Sequence, residues 1–75
     1  MQADKVLKTI LEKEGITTIQ ASRKMGRSDG YLSATIAKKA SPRVDIMADI
    51  CDALDYDLLV RSREDGFELY IDPPD

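Results

Sequence analysis

Histidine and tryptophan are absent from the chain, and cysteine and phenylalanine occur once each, as Cys51 and Phe67. A lone thiol excludes an internal disulfide framework. With no imidazole beside it, a zinc site lacks its ligands. The missing histidine also removes the usual general base, and no serine or cysteine has a sequence neighbour able to activate it. The parts needed for nucleophilic or metal catalysis are not there, so the expectation is a binding protein without cofactor or metal, not an enzyme. Apolar runs are short. None approaches the ~20 residues of a spanning helix, and no basic-then-apolar signal segment opens the chain. With a single reduced thiol, these absences point to a cytoplasmic protein with no membrane partner.

What is present is a chain of 75 residues, the size of one small domain. A core of that size contributes only a few kcal/mol net, so further support is expected. Once disulfides and zinc are excluded, oligomerisation remains. The net charge of −3 hides an asymmetry: residues 1–43 carry nine Lys/Arg and four Asp/Glu (+5), and residues 44–75 carry two and ten (−8). Phosphate contacts are local and screened within about 10 Å, so a basic face on an acidic body can still bind DNA.

Residues 3–14 read as a helix, with Val6, Leu7, Ile10 and Leu11 on one stripe and Gly15 as the left-handed stop. Thr17-Thr18-Ile19-Gln20 fits a capping box that opens a short helix over 18–25, with Ile19, Ser22 and Met25 inward and Gly26 at its end. Ser28 then reads as the cap of a third helix, with Asp29 at the first helical position. In this helix Leu32 and Ile36 face inward, and the segment ends near Lys39. Ser41-Pro42 opens a fourth helix, with Pro42 at its first position. Val44, Met47, Ile50, Cys51 and Leu54 follow at helical spacing, which makes Cys51 a buried hydrophobe.

From Asp57 the period changes to two. The runs 57–63 and 67–72 flank Asp65-Gly66, a strong hairpin signal. If those two residues form the whole turn, Val60 lies opposite Ile71, Arg61 opposite Tyr70 and Arg63 opposite Glu68. One face then carries Val60, Phe67, Leu69 and Ile71. Two strands are marginal alone, so a second hairpin from another subunit is the natural cover for that face, which makes these four residues the expected dimer interface.

Only Gly26-Arg27-Ser28 separates the second and third helices, an arrangement typical of helix-turn-helix modules. Small residues at Ala21 and Ser22 allow close approach, and Leu32 anchors the third helix so that its other face can enter a major groove. Thr18 through Ile36, with Ala21, Met25, Gly26, Ser28, Tyr31-Leu32-Ser33 and Ile36 matching, resembles the phage repressor/Cro (XRE) family. Ser41-Pro42 and the following "IMADICDALDYDL" look like the fourth helix of that family. The resemblance covers about residues 3–60. It implies a mainly α fold: a four-helix lambda-repressor-like helix-turn-helix domain over 1–56, followed by a C-terminal β-hairpin over 57–75 as the dimerisation element of the same domain. This chain departs from the pattern at Arg27, where an aliphatic residue is usual, at Thr35, where a larger apolar one is, and at Asp55, where glycine is common.

By resemblance, Thr18, Asp29, Gly30, Ser33, Ala34 and Ala37 would face bases, and Thr17, Lys24, Arg27, Tyr31, Lys38 and Lys39 would contact phosphates. Plainer readings stand beside these. Asp29 also suits a helix N-terminus, Tyr31 can pack on the second helix, and Lys38 and Lys39 can be a solvated helix end. The resemblance implies a homodimeric, sequence-specific transcriptional regulator, a repressor of phage or mobile-element type, with double-stranded DNA and itself as partners. It would bind a pseudo-palindrome with half-sites about one turn, ~34 Å, apart. The acidic half motivates an alternative, an antitoxin or other inhibitor with a toxin or other protein partner.

Overall fold

The structure is a computed structural model that describes residues 1–38 and 42–74. Among the described residues four helices precede a two-stranded antiparallel hairpin: α1 (Ala3–Glu14), α2 (Thr18–Lys24), α3 (Tyr31–Ala37), α4 (Val44–Ala53), β1 (Leu58–Arg61) and β2 (Glu68–Ile71). The chain divides into two compact units, Met1–Pro42 and Arg43–Asp75, so α4 groups with the hairpin. Among the described residues no helix is long and apolar enough to cross a membrane.

In the first unit α1 has the expected bounds. Gly15 (φ 67°) closes it, its N–H donating to Glu12 O at 3.2 Å while Ile16 N–H donates to Leu11 O at 3.1 Å. This is the paired Schellman closure, which requires a left-handed residue. The capping box at α2 is complete: Gln20 N–H donates to Thr17 Oγ1 at 3.1 Å, and Thr17 N–H donates to Gln20 Oε1 at 2.9 Å. Gly26 (φ 70°) repeats the closure at the other end, with Arg27 N–H on Ser22 O at 3.0 Å. Leu7, Ile10, Leu11, Ala21, Ser22 and Leu32 are buried, whereas Val6, Met25 and Ile36 are half-buried.

Three expectations for this unit need correction. Ile19 is 45% exposed rather than inward; on a helix this short, Ala21 and Ser22 alone occupy the buried side. The third helix begins at Tyr31, not after Ser28, so Asp29 is not its first residue. Ser28 instead accepts Tyr31 N–H through its carbonyl at 3.1 Å, and Gly30 (φ −88°, ψ 0°) holds the cap position without a side-chain bond. The helix also stops at Ala37, and Lys39 lies outside the described residues.

In the second unit α4 starts two residues later than the sequence suggests. Arg43 is the cap, Pro42 precedes it, and Ser41 lies outside the described residues. Asp45 serves the new start: its Oδ1 accepts Ile46 N–H at 2.9 Å and its Oδ2 lies 3.0 Å from Arg43. Val44, now the first helical residue, is 60% exposed; burial begins a turn later with Met47, Ala48, Ile50, Cys51 and Leu54. Burial also pushes the Cys51 thiol above its ordinary pKa, in keeping with an unreactive packing role.

The same Schellman closure ends α4, with Tyr56 N–H on Cys51 O at 2.8 Å, but here the left-handed residue is Asp55 (φ 61°). A Cβ in that region costs about 1 kcal/mol, and a carboxylate faces the negative end of the helix dipole. Asp55→Gly should therefore stabilise the protein by about 0.5–1 kcal/mol, a rise of a few degrees in Tm that a thermal melt will register.

The hairpin is present, but its register differs from the expected one. Leu58 pairs with Ile71, Leu59 with Tyr70, Val60 with Leu69 and Arg61 with Glu68. The loop spans 63–66, closed by Ser62 N–H to Phe67 O at 2.8 Å and Gly66 N–H to Ser62 O at 3.0 Å. Two side chains build it: Ser62 Oγ accepts Glu64 N–H at 3.3 Å, and Asp65 Oδ1 accepts Phe67 N–H at 3.0 Å. That backbone bond, with help from Ser62, holds the Asp65 carboxyl below its usual pKa. Asp65-Gly66 thus ends a four-residue loop with Gly66 left-handed (φ 77°) and is not the whole turn. The slip is two residues, an even number, so Val60, Phe67, Leu69 and Ile71 keep a common face. Val60, Phe67 and Leu69 are 53%, 62% and 56% exposed, and Ile71 is half-buried.

Candidate nucleic-acid interface

At the junction of α2 and α3 one small buried side chain bonds to both helices. Ser22 Oγ donates to Thr18 O at 2.8 Å and accepts Leu32 N–H at 3.1 Å. Leu32 is the second residue of α3, so this N–H has no partner within its own helix. Gly30 cannot supply a cap, and Ser22 supplies it from the preceding helix. Ser22, Ala21 and Leu32 are fully buried. Outside this core, the hydroxyls of Thr18 and Ser33 lie 2.9 Å apart, tying the start of α2 to the first turn of α3.

Helical spacing then sorts α3 into two sides. Leu32, Thr35 and Ile36 turn inward, and Thr35 Oγ1 donates back to Tyr31 O at 3.0 Å. Gly30, Ser33, Ala34 and Ala37 form one exposed stripe at i, i+3, i+4 and i+7. Of the residues expected to face bases, these four come together, with half-buried Thr18 joined to them through Ser33. Asp29 is engaged elsewhere: Arg23 Nε donates to its Oδ1 and Arg23 Nη2 to its Oδ2, each at 2.9 Å, a bidentate fork between exposed groups.

Of the residues expected at phosphates, Thr17, Lys24, Arg27 and Lys38 are exposed and Tyr31 is half-buried. The Arg27 guanidinium carbon lies 5.2 Å from the centroid of the Tyr31 ring, within cation–π range. Arg27 and Tyr31 therefore form one unit at the start of α3. Two roles escaped the sequence reading. Helical spacing assigns Arg23 none, because no helical period pairs residues across a glycine turn. Ser22 was placed inward for its size, and nothing local marks it as the cap of the next helix.

The hydrogen bond from Arg23 depresses the Asp29 pKa. The folded value therefore lies below that of an unfolded aspartate, about 3.9. The contribution of the fork is complete above that value and is lost as pH falls through Asp29's own lower pKa. A carboxyl-detected NMR titration should find Asp29 protonating below the ordinary aspartate range, and Arg23→Ala should return it there. An unshifted Asp29 in the parent protein would contradict the fork.

No family model, curated protein or solved structure matches the chain.

Proposed function

We propose that the protein is a sequence-specific DNA-binding transcriptional regulator, a cytoplasmic repressor of the phage or mobile-element type with a helix-turn-helix formed by α2 and α3. It acts as a homodimer joined through its C-terminal strands and occludes a promoter by occupying a pseudo-palindrome. The observation that carries this reading is the exposed stripe Gly30, Ser33, Ala34 and Ala37, with exposed Lys24 and Arg27 before it in the chain and Lys38 after it. A slim stripe lets a helix sit deep in a groove about 12 Å wide, where alanine methyls meet thymine methyls and Ser33 serves either base type. The flanking cations take the phosphates on either side. The charge of +5 on residues 1–43 gives this half the sign that DNA requires, although the whole chain is at −3.

Selection of bound sequences from a random DNA pool tests the reading. The expected outcome is a two-fold-symmetric site. Arg27→Ala or Lys38→Ala should weaken its binding and lower the salt slope by about two, one for each subunit. Failure to enrich any sequence at physiological salt would sink the proposal. A second reading, an antitoxin or inhibitor on the same scaffold, is favoured by the −8 carried on residues 44–75. Tight association with a basic protein, with no sequence enriched, would select it.

A further inference from the structure

Among the described residues the sheet has two strands, and its ladder dictates which backbone groups point to its outer edges. Ser62 N–H bonds to Phe67 O, so Ser62 and Phe67 form a hydrogen-bonded pair. Antiparallel pairs alternate. Val60 and Leu58 therefore direct their N–H and C=O groups toward β2, and Leu59 and Arg61 direct theirs away from it. Among the described residues β1 pairs with β2 alone, so this outward row has no strand partner. On β2 the outward row is Glu68 and Tyr70, and the chain continues into Asp72, Pro73 and Pro74. Prolines have no N–H to give and blunt an edge.

We infer that β1 pairs antiparallel with β1 of a second copy about a two-fold axis through Leu59, joining two hairpins into a four-stranded sheet in the order β2–β1–β1–β2. The inference rests on the homodimer reading above. The register follows from the side chains. With the axis at Leu59, Leu59 meets Leu59, Leu58 meets Val60 twice, and Asp57 meets Arg61 twice. Apolar groups then lie opposite apolar ones, and opposite charges face each other. An axis at Val60 sets Leu59 against Arg61 and Leu58 against Ser62. An axis at Arg61 sets two guanidinium groups face to face. On β2, an axis at Tyr70 opposes Glu68 and Asp72, and an axis at Leu69 gives no charge pair at all. Only the Leu59 register satisfies both faces, and it spans 57–61, the length of β1 plus one residue. The joined sheet also brings Leu58, Val60, Leu69 and Ile71 of both copies onto one continuous apolar face.

Charge reversal reads the register directly. Asp57→Arg opposes two arginine pairs in its own dimer, and Arg61→Asp opposes two aspartate pairs. Sedimentation equilibrium should show each variant alone dissociating about ten- to a hundredfold more readily than the parent. An equimolar mixture restores both opposite-charge pairs and should recover a heterodimer near parental strength. The milder Asp57→Asn removes attraction without repulsion and should weaken the dimer about threefold. Phe67→Lys, placed beside the turn on β2, should leave the dimer intact. A parental dimer that Phe67→Lys dissociates while the charge reversals leave it unchanged would overturn the edge pairing in favour of face-to-face packing. Reversals that weaken the dimer without recovery on mixing would overturn the register. A parent that is monomeric at all concentrations would remove the homodimer itself, and the DNA selection would still judge the DNA-binding reading separately.

Discussion

Leu32→Ala should cost the protein about 2–5 kcal/mol of stability. The Leu32 side chain is fully buried, on the third helix beneath the exposed stripe. Truncating a buried leucine costs about 2–5 kcal/mol, through lost burial and the cavity left behind. A domain of this length has roughly 4–11 kcal/mol in total, so one substitution removes from about a fifth of it to all of it. Each kcal/mol corresponds to about 4–8 °C in a domain this small, which places the fall in Tm at roughly 10–30 °C. Ile36→Ala, one turn further on and half-buried, serves as the comparison and should cost about half as much. Thermal melts followed by circular dichroism decide the matter. A Leu32→Ala protein within 1 kcal/mol of the parent would mean that α3 is not anchored through this residue.

What could be read in the sequence was what local chemistry determines. The bounds of α1 follow from its stripe and from Gly15, because a Schellman closure needs a left-handed residue wherever a helix stops. The box at Thr17 and Gln20 is equally local, two side chains three residues apart. The hairpin was legible in its existence and its faces but not in its register. Asp-Gly fits both a two-residue turn and the end of a four-residue loop, and the choice fell to the side chains of Ser62 and Asp65. The start of α3 is not legible locally, because Ser28-Asp29 has the composition of a cap, while the groups that decide the matter come from α2. Asp29 is taken by Arg23, six residues away, and Leu32 N–H by Ser22, ten residues away. Periodicity says nothing about either. At the candidate site the stripe of small residues was legible by angle, since Gly30, Ser33, Ala34 and Ala37 recur at helical spacing. The fork that withdraws Asp29 from it was not.

Ser22→Ala should destabilise the protein by about 1–2 kcal/mol and disturb the geometry of α2 and α3 more than its size suggests. The hydroxyl is fully buried and makes two bonds, donating to Thr18 O and accepting Leu32 N–H. Losing it leaves Leu32 N–H buried without an acceptor, a penalty of about 1–3 kcal/mol. Against this, alanine is the better helix former by up to about 0.5 kcal/mol. The difference should lower Tm by roughly 5–15 °C. Ser33→Ala is the control: it also loses a hydroxyl contact, to Thr18, but an exposed one, and should stay within about 0.5 kcal/mol. If α2 and α3 read DNA together, Ser22→Ala should also register in binding. Base contacts depend on the placement of α3 and phosphate contacts tolerate small shifts, so Ser22→Ala should lose specific affinity while non-specific affinity and its salt slope stay near those of the parent. A Ser22→Ala protein as stable as the parent would show that α3 is capped by some group other than this hydroxyl.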